Sequence, residues 1–99
     1  MSKYRQAARI DENQPQIVED LRGIHGVSVE VEHDDILVGW KGRTYWYEIK
    51  DPNKALKKDG TYLKGAIKES QIKLDNEWTG HYKIVCSTDD ILRDLGIIT

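Results

Sequence analysis

One cysteine, Cys86, is all that this 99-residue chain contains. That excludes an internal disulfide framework and any cysteine-rich zinc site. Cys86 falls inside a predicted strand and reads as a small buried apolar residue. Long apolar runs are missing too: none approaches the ~18 residues of a membrane span. No signal-peptide-like stretch precedes the first predicted helix. Internal repeats and low-complexity segments are absent as well. Nor is there an overall excess of positive charge, since the formal net charge is −2, which alone argues against a nucleic-acid partner. With 38% hydrophobic and 32% charged residues, the expectation is a cytoplasmic, non-membrane protein. It would form one domain over residues 1–99 with a single modest core.

The distribution of charge argues the other way from its total. Residues 41–73 hold nine basic side chains (Lys41, Arg43, Lys50, Lys54, Lys57, Lys58, Lys64, Lys68, Lys73) against four acidic ones, and the remainder holds six against thirteen. One third of the chain can therefore face a polyanion while the rest stays acidic.

The most informative stretch runs from Asp35 to Lys50. An apolar run (Ile36, Leu37, Val38) meets a β-rich run (Thr44 to Ile49) across a turn at Lys41-Gly42, which predicts a β-hairpin. A two-residue loop and a four-residue loop give the same antiparallel register. Val38 then faces Tyr45, Leu37 faces Trp46, Ile36 faces Tyr47, and Asp35 faces Glu48. Directly opposed side chains have Cβ atoms about 4.5–5.5 Å apart, and like charges placed so are destabilising. Lys50, two residues past Glu48, projects from the same face. A divalent cation such as Mg²⁺ between the two carboxylates would remove the remaining conflict.

Around this hairpin the chain reads as αβββαβα, with residues 1–12 loosely ordered. Asn13 as N-cap and Gln16 at N3 suggest a capping box opening the first helix, with Pro15 in its first turn. Ile17, Val18 and Leu21 form its apolar stripe, and Gly23 ends it. Val27, Val29 and Val31 alternate with polar residues in a first strand, and His33 reads as a surface or capping residue rather than a ligand. Asp51-Pro52-Asn53 reads as a strand stop, and residues 54–60 as a basic loop or flap. A second helix is expected within Lys68–Trp78, with Gln71, Leu74 and Trp78 on one face and Gly80 closing it. A fourth strand at His81–Cys86 follows, able to lie parallel to a neighbour. The last helix is capped by Ser87 or Thr88, has Asp89 and Asp90 in its first turn, and stops at Gly96. Trp40, Trp46 and Tyr47 read as core or dimer-interface aromatics.

The pattern Asp34-Asp35 … Glu48-Ile49-Lys50, carried by a hairpin, resembles the signature of the PD-(D/E)xK nucleases. The resemblance extends over most of the chain. It includes Asn13-Gln14 … Ile17-Val18 … Leu21-Arg22, Gly26-Val27-Ser28-Val29, Asp35-Ile36-Leu37-Val38-Gly39, Gly42-Arg43, Glu48-Ile49-Lys50-Asp51 and Gln71 … Trp78. Together these look like the small stand-alone VRR-NUC proteins of phages and prophages. The sequence departs from them at Asp34, where the family has proline, and at Glu30-Val31-Glu32-His33, which replaces a glycine-rich entry.

The resemblance implies an α/β, restriction-endonuclease-like fold around a four-stranded mixed sheet. It implies metal-dependent hydrolysis of DNA phosphodiesters in a bacterial host cytoplasm. Asp35, Glu48 and the Ile49 backbone carbonyl would hold Mg²⁺ or Mn²⁺, Lys50 would orient water or stabilise the transition state, and Gln71 would sit beside Lys50. Gln16 stands near the usual helix glutamate, leaving Glu19 as a substitute metal ligand. Arg43, Lys54, Lys57, Lys58, Lys64, Lys68 and Lys73 would contact the DNA backbone without reading sequence. So small a chain offers little surface for selecting a branched substrate, and the resemblance to stand-alone VRR-NUC proteins and to archaeal Holliday junction resolvases implies a homodimeric endonuclease acting on four-way (Holliday) junctions. The alternatives are a non-catalytic nucleic-acid-binding module and a nicking or flap nuclease.

Overall fold

The Lys41-Gly42 dipeptide adopts positive φ at both positions, 51° and 78°, as the tight turn of a two-residue hairpin requires. That local choice fixes the centre of the sheet. In the computed structural model, which describes residues 12–32 and 35–99, strand β1 (Ser28–Glu32) pairs with β2 (Asp35–Trp40), and β2 with β3 (Arg43–Ile49). Both pairings are antiparallel, and the second has the expected register: Asp35 opposite Glu48, Leu37 opposite Trp46, Val38 opposite Tyr45, and Trp40 opposite Arg43 at the turn. Residues 1–11, His33 and Asp34 lie outside the described residues, and with them the expectations placed there.

Period-two alternation then sorts the side chains. Val29, Ile36, Val38, Tyr47, Ile49 and Val85 point to one face and form the core with Ile17, Val18 and Leu21 of α1 (Gln14–Arg22) and Ile91 and Leu95 of the last helix. Asp35, Leu37, Trp46 and Glu48 therefore lie on the opposite face. That face carries far less apolar cover: Leu37 remains 42% exposed.

After β3 the chain makes a one-turn helix α2 (Pro52–Ala55), then α3 (Glu69–Glu77), then the short strand β4 (Lys83–Val85), which runs parallel to β3. Helix α4 (Thr88–Leu95) completes the fold. The protein is thus a mixed α/β domain on a four-stranded sheet with one parallel pair. No helix among the described residues is long and apolar enough to cross a membrane.

Several local expectations hold. Ser87 is the N-cap of α4, its side chain accepting from the Asp90 amide, and Gly96 closes it in the left-handed region at φ 84°. Others need correction. Asn13 makes no side-chain cap hydrogen bond. Its amide instead donates to the carbonyls of Lys50 and Cys86 at 3.1 and 2.8 Å, tying the start of α1 to the ends of β3 and β4. Gln16 donates to Asp20 rather than closing a capping box. Helix α3 stops at Glu77 with Trp78 extended behind it, before Gly80 is reached. Cys86 lies just past β4 and is only half-buried, its sulfur 3.6 Å from the Tyr62 hydroxyl.

The basic segment after Lys50 is more ordered than a flap. Asp51 is buried and accepts from the Asn53 amide, starting α2. Leu56 then bridges to Tyr62, and the Lys57 amide donates to the Thr61 carbonyl at 2.7 Å. The result is a tight loop with Lys57 and Lys58 exposed at its tip.

Candidate functional site

The site forms at the end of the hairpin away from the turn. There Asp35 and Glu48 face each other in register. Their pairing is of the narrower kind, as the neighbouring amides show. The Trp46 amide donates away from β2 to His81 Nδ1, and the Lys50 amide donates to the Val85 carbonyl. By alternation the Glu48 amide also points toward β4, so Asp35 and Glu48 form a non-hydrogen-bonded pair, in which side chains sit closest.

Two acids so placed repel unless their surroundings oppose it. Lys50 Nζ lies 3.9 Å from Glu48 Oε2, with the two side chains only 11% and 5% exposed, so solvent screens the attraction weakly. Asp35 Oδ2 accepts a 3.0 Å hydrogen bond from the Trp46 indole. Asp35 Oδ1 is buried and has no hydrogen-bond partner among the described residues. A buried carboxylate oxygen left in that state is costly, and it suits a cation ligand. The residues present therefore fit an oxygen-seeking divalent ion.

Tyr82 completes the wall on the β4 side. Its ring meets Trp46 edge-on at 4.9 Å. Burial first, and then the negative charges of Glu48, Asp35 and Asp75, push its phenol above the usual range. Tyr82 therefore stays protonated at neutral pH and brings an O–H group to an acidic site. Asp75 belongs to α3, and Trp78, just past the end of that helix, packs edge-on against Trp46 at 5.5 Å on the face that carries the two hairpin acids. On the β1 side, Glu32 sits opposite Asp35. A cavity of about 260 Å³ is lined by Glu32, Asp35, Leu37 and Trp46.

The other expected site residues divide. Ile49 is fully buried beside Glu48, and Gln71 is buried on α3, one turn before Asp75. Gln71 Oε1 accepts from the Lys68 amide at 2.9 Å, so its carbonyl oxygen serves the start of the helix. Glu19 is exposed on α1, whose buried side faces the core. It joins Asp35 and Glu48 in no three-residue metal-ligating group among the described residues. Arg43 lies away from the two acids. It stands at the turn end of β3, about 17 Å of strand from Glu48 by the rise per residue, and by alternation on the core face. Lys54, Lys57, Lys58, Lys64, Lys68 and Lys73 are all exposed in the segment from α2 to α3, with Lys54 3.5 Å from Glu12 in an exposed ion pair.

Sequence reasoning missed Trp46, Tyr82, Asp75 and Glu32. Glu32 was within reach, because β1 alternates and follows the same pleat. Tyr82 needed the parallel register of β4 against β3, Glu48 opposite Ile84, which no local pattern supplies. Comparison of the chain with family models, with curated proteins and with solved structures finds no match.

Proposed function

We propose that the chain is a divalent-metal-dependent DNA endonuclease of the PD-(D/E)xK type, acting as a homodimer on four-way junctions. The observation that carries this reading is the in-register opposition of Asp35 and Glu48, with the Lys50 ammonium 3.9 Å from the glutamate. The VRR-NUC resemblance of the sequence supports the same reading.

Asp35 and Glu48, with the Ile49 carbonyl, would hold Mg²⁺ or Mn²⁺. When bound, such an ion supplies Lewis acidity, polarising a phosphoryl oxygen and offsetting charge that develops in the transition state. The protein's own groups do the rest. Lys50, anchored by Glu48, holds a positive charge where the attacking water and the phosphoryl oxygens gather. Tyr82 offers a protonated hydroxyl to the same acidic pocket. The exposed lysines from Lys54 to Lys73 hold the nucleic-acid backbone by charge, without reading bases. Two copies would present two such sites and a wider basic face than one small chain can offer.

The test is cleavage of labelled four-way junction, flap and nicked duplex DNA with and without Mg²⁺ or Mn²⁺, alongside a light-scattering mass. Metal-dependent paired cuts across the junction by a dimer are expected. Binding without any metal-dependent cleavage would leave a nucleic-acid-binding module instead. Cleavage of flaps alone would keep the chemistry and replace the substrate.

A further inference from the structure

We propose that Trp46 is a positioning residue for Asp35, its indole N–H fixing one carboxylate oxygen and leaving the other as the oxygen offered to a cation. The inference rests on the nuclease reading and adds to it a residue that the acidic motif does not contain.

The terminal torsion of an aspartate is broad and roughly two-fold, so an unanchored carboxylate presents either oxygen in turn. Asp35 is anchored: Oδ2 takes the Trp46 Nε1–H at 3.0 Å, while the buried Oδ1 takes no hydrogen bond among the described residues. The reach is natural for a sheet. Trp46 lies diagonally across from Asp35, one step along β3 from Glu48 on the same face, a separation long aromatic side chains span. An indole N–H is a donor only. It can orient a carboxylate but cannot compete with it for a metal.

The indole is itself held from two sides. Trp78, just past α3, packs edge-on against it at 5.5 Å, and Tyr82 does so at 4.9 Å, with interplanar angles of 86° and 79°. The backbone amide of Trp46 is fixed as well, donating to His81 Nδ1. A donor clamped in three directions holds its acceptor more tightly than a free side chain would. Hydrogen-bond partners of ligating groups typically contribute 10- to 100-fold to metal affinity.

The experiment compares wild type with Trp46→Phe, which keeps an aromatic ring between Trp78 and Tyr82 but has no N–H. Mn²⁺ is titrated calorimetrically into the DNA-free protein, and the metal dependence of junction cleavage is measured in parallel. The expected result is Mn²⁺ binding weakened about 10-fold or more, a matching rise in half-saturating Mn²⁺, and turnover largely recovered at saturating metal. A variant that melts earlier yet binds Mn²⁺ like wild type would reduce Trp46 to packing and overturn the inference.

A second measurement needs no variant. In the wild-type protein, saturation with Mg²⁺ should shift the Trp46 indole N–H resonance and leave that of Trp40, on the core face, unmoved. Metal binding with a stationary Trp46 signal would also overturn it. If wild type binds neither ion, the nuclease reading falls and takes this inference with it. If wild type binds and cleaves while Trp46→Phe matches it, only the role of Trp46 falls.

Discussion

The Tyr47 hydroxyl donates to Asp94 Oδ2 at 2.6 Å, joining the centre of the sheet to α4. His81 Nε2 lies 2.6 Å from the same oxygen, and its Nδ1 accepts from the Trp46 amide. Lys83 Nζ stands 3.5 Å from Asp94 Oδ1. Burial pushes the Asp94 carboxyl up, but hydrogen bonds from Tyr47 and His81 and the nearby positive charge outweigh it and hold it below its usual range. Stability from Asp94 is therefore present above its unfolded value of ~4 and lost as pH falls through its lower folded value. Asp94→Asn should flatten the acid limb of stability. Urea midpoints measured from pH 6 down to pH 2 test this, and parallel limbs in wild type and variant would refute it.

Tyr47 makes the opposite prediction at high pH. Its phenol is pushed up by burial first, then by the hydrogen bond to Asp94 and that residue's charge, from an ordinary value of 10.0. A raised value means full stabilisation below pH 10 and loss as pH rises above it. Tyr47→Phe should cost about 1.5–3 kcal/mol at pH 7, as hydrogen bonds to charged groups do, and show a shallower decline between pH 9 and 12. Thermal melts at pH 7 and from pH 9 to 12 give both numbers.

Asp35→Asn and Lys50→Ala should both remove cleavage, by roughly 100-fold or more, yet move stability in opposite directions. Replacing Asp35 relieves the repulsion of two opposed carboxylates, a gain of about 0.2–1 kcal/mol. Replacing Lys50 strips a buried glutamate of its nearby ammonium and costs about 1–3 kcal/mol. Urea unfolding of the two variants measures the difference. Full activity in either variant would remove the hydrolase assignment.

Alanine at Lys57 and Lys58 should weaken DNA binding and lower its log-log salt slope by roughly one unit for each lost phosphate contact. Arg43→Ala, at the far end of the hairpin, should leave that slope unchanged. Binding titrations at several salt concentrations separate the two positions.

Gly42 tests the turn. A side chain there would meet nothing within 4 Å, so any cost is conformational, set by its φ of 78°. Gly42→Ala should destabilise by about 1 kcal/mol without changing metal binding. A neutral effect would show that the turn carries a side chain at that position without strain.

What could be read in the sequence follows the range over which each feature is decided. The hairpin was legible because a two-residue turn and a period-two pattern are local and reinforce each other. The ends of α4 were legible for the same reason, since Ser87 and Gly96 act on their own neighbours. Asn13 misled because its side chain found better acceptors 37 and 73 residues away, at Lys50 and Cys86, than in its own first turn. A count of positive charge along the chain could not show that Arg43 stands at the turn end of β3, because it ignores which end of a strand each residue occupies.

The sequence by itself determined that Asp35 and Glu48 stand opposite each other with Lys50 on the same side, because strand register is set by a turn and an alternation only a few residues long. Only the tertiary structure decided what surrounds them. The parallel seating of β4 brought the Tyr82 ring against Trp46 and His81 to the Trp46 amide, 35 residues apart in the chain. The folding of α3 onto the same face set Trp78 against Trp46. Such placements arise from packing across the whole domain, where no local pattern of residues carries the register.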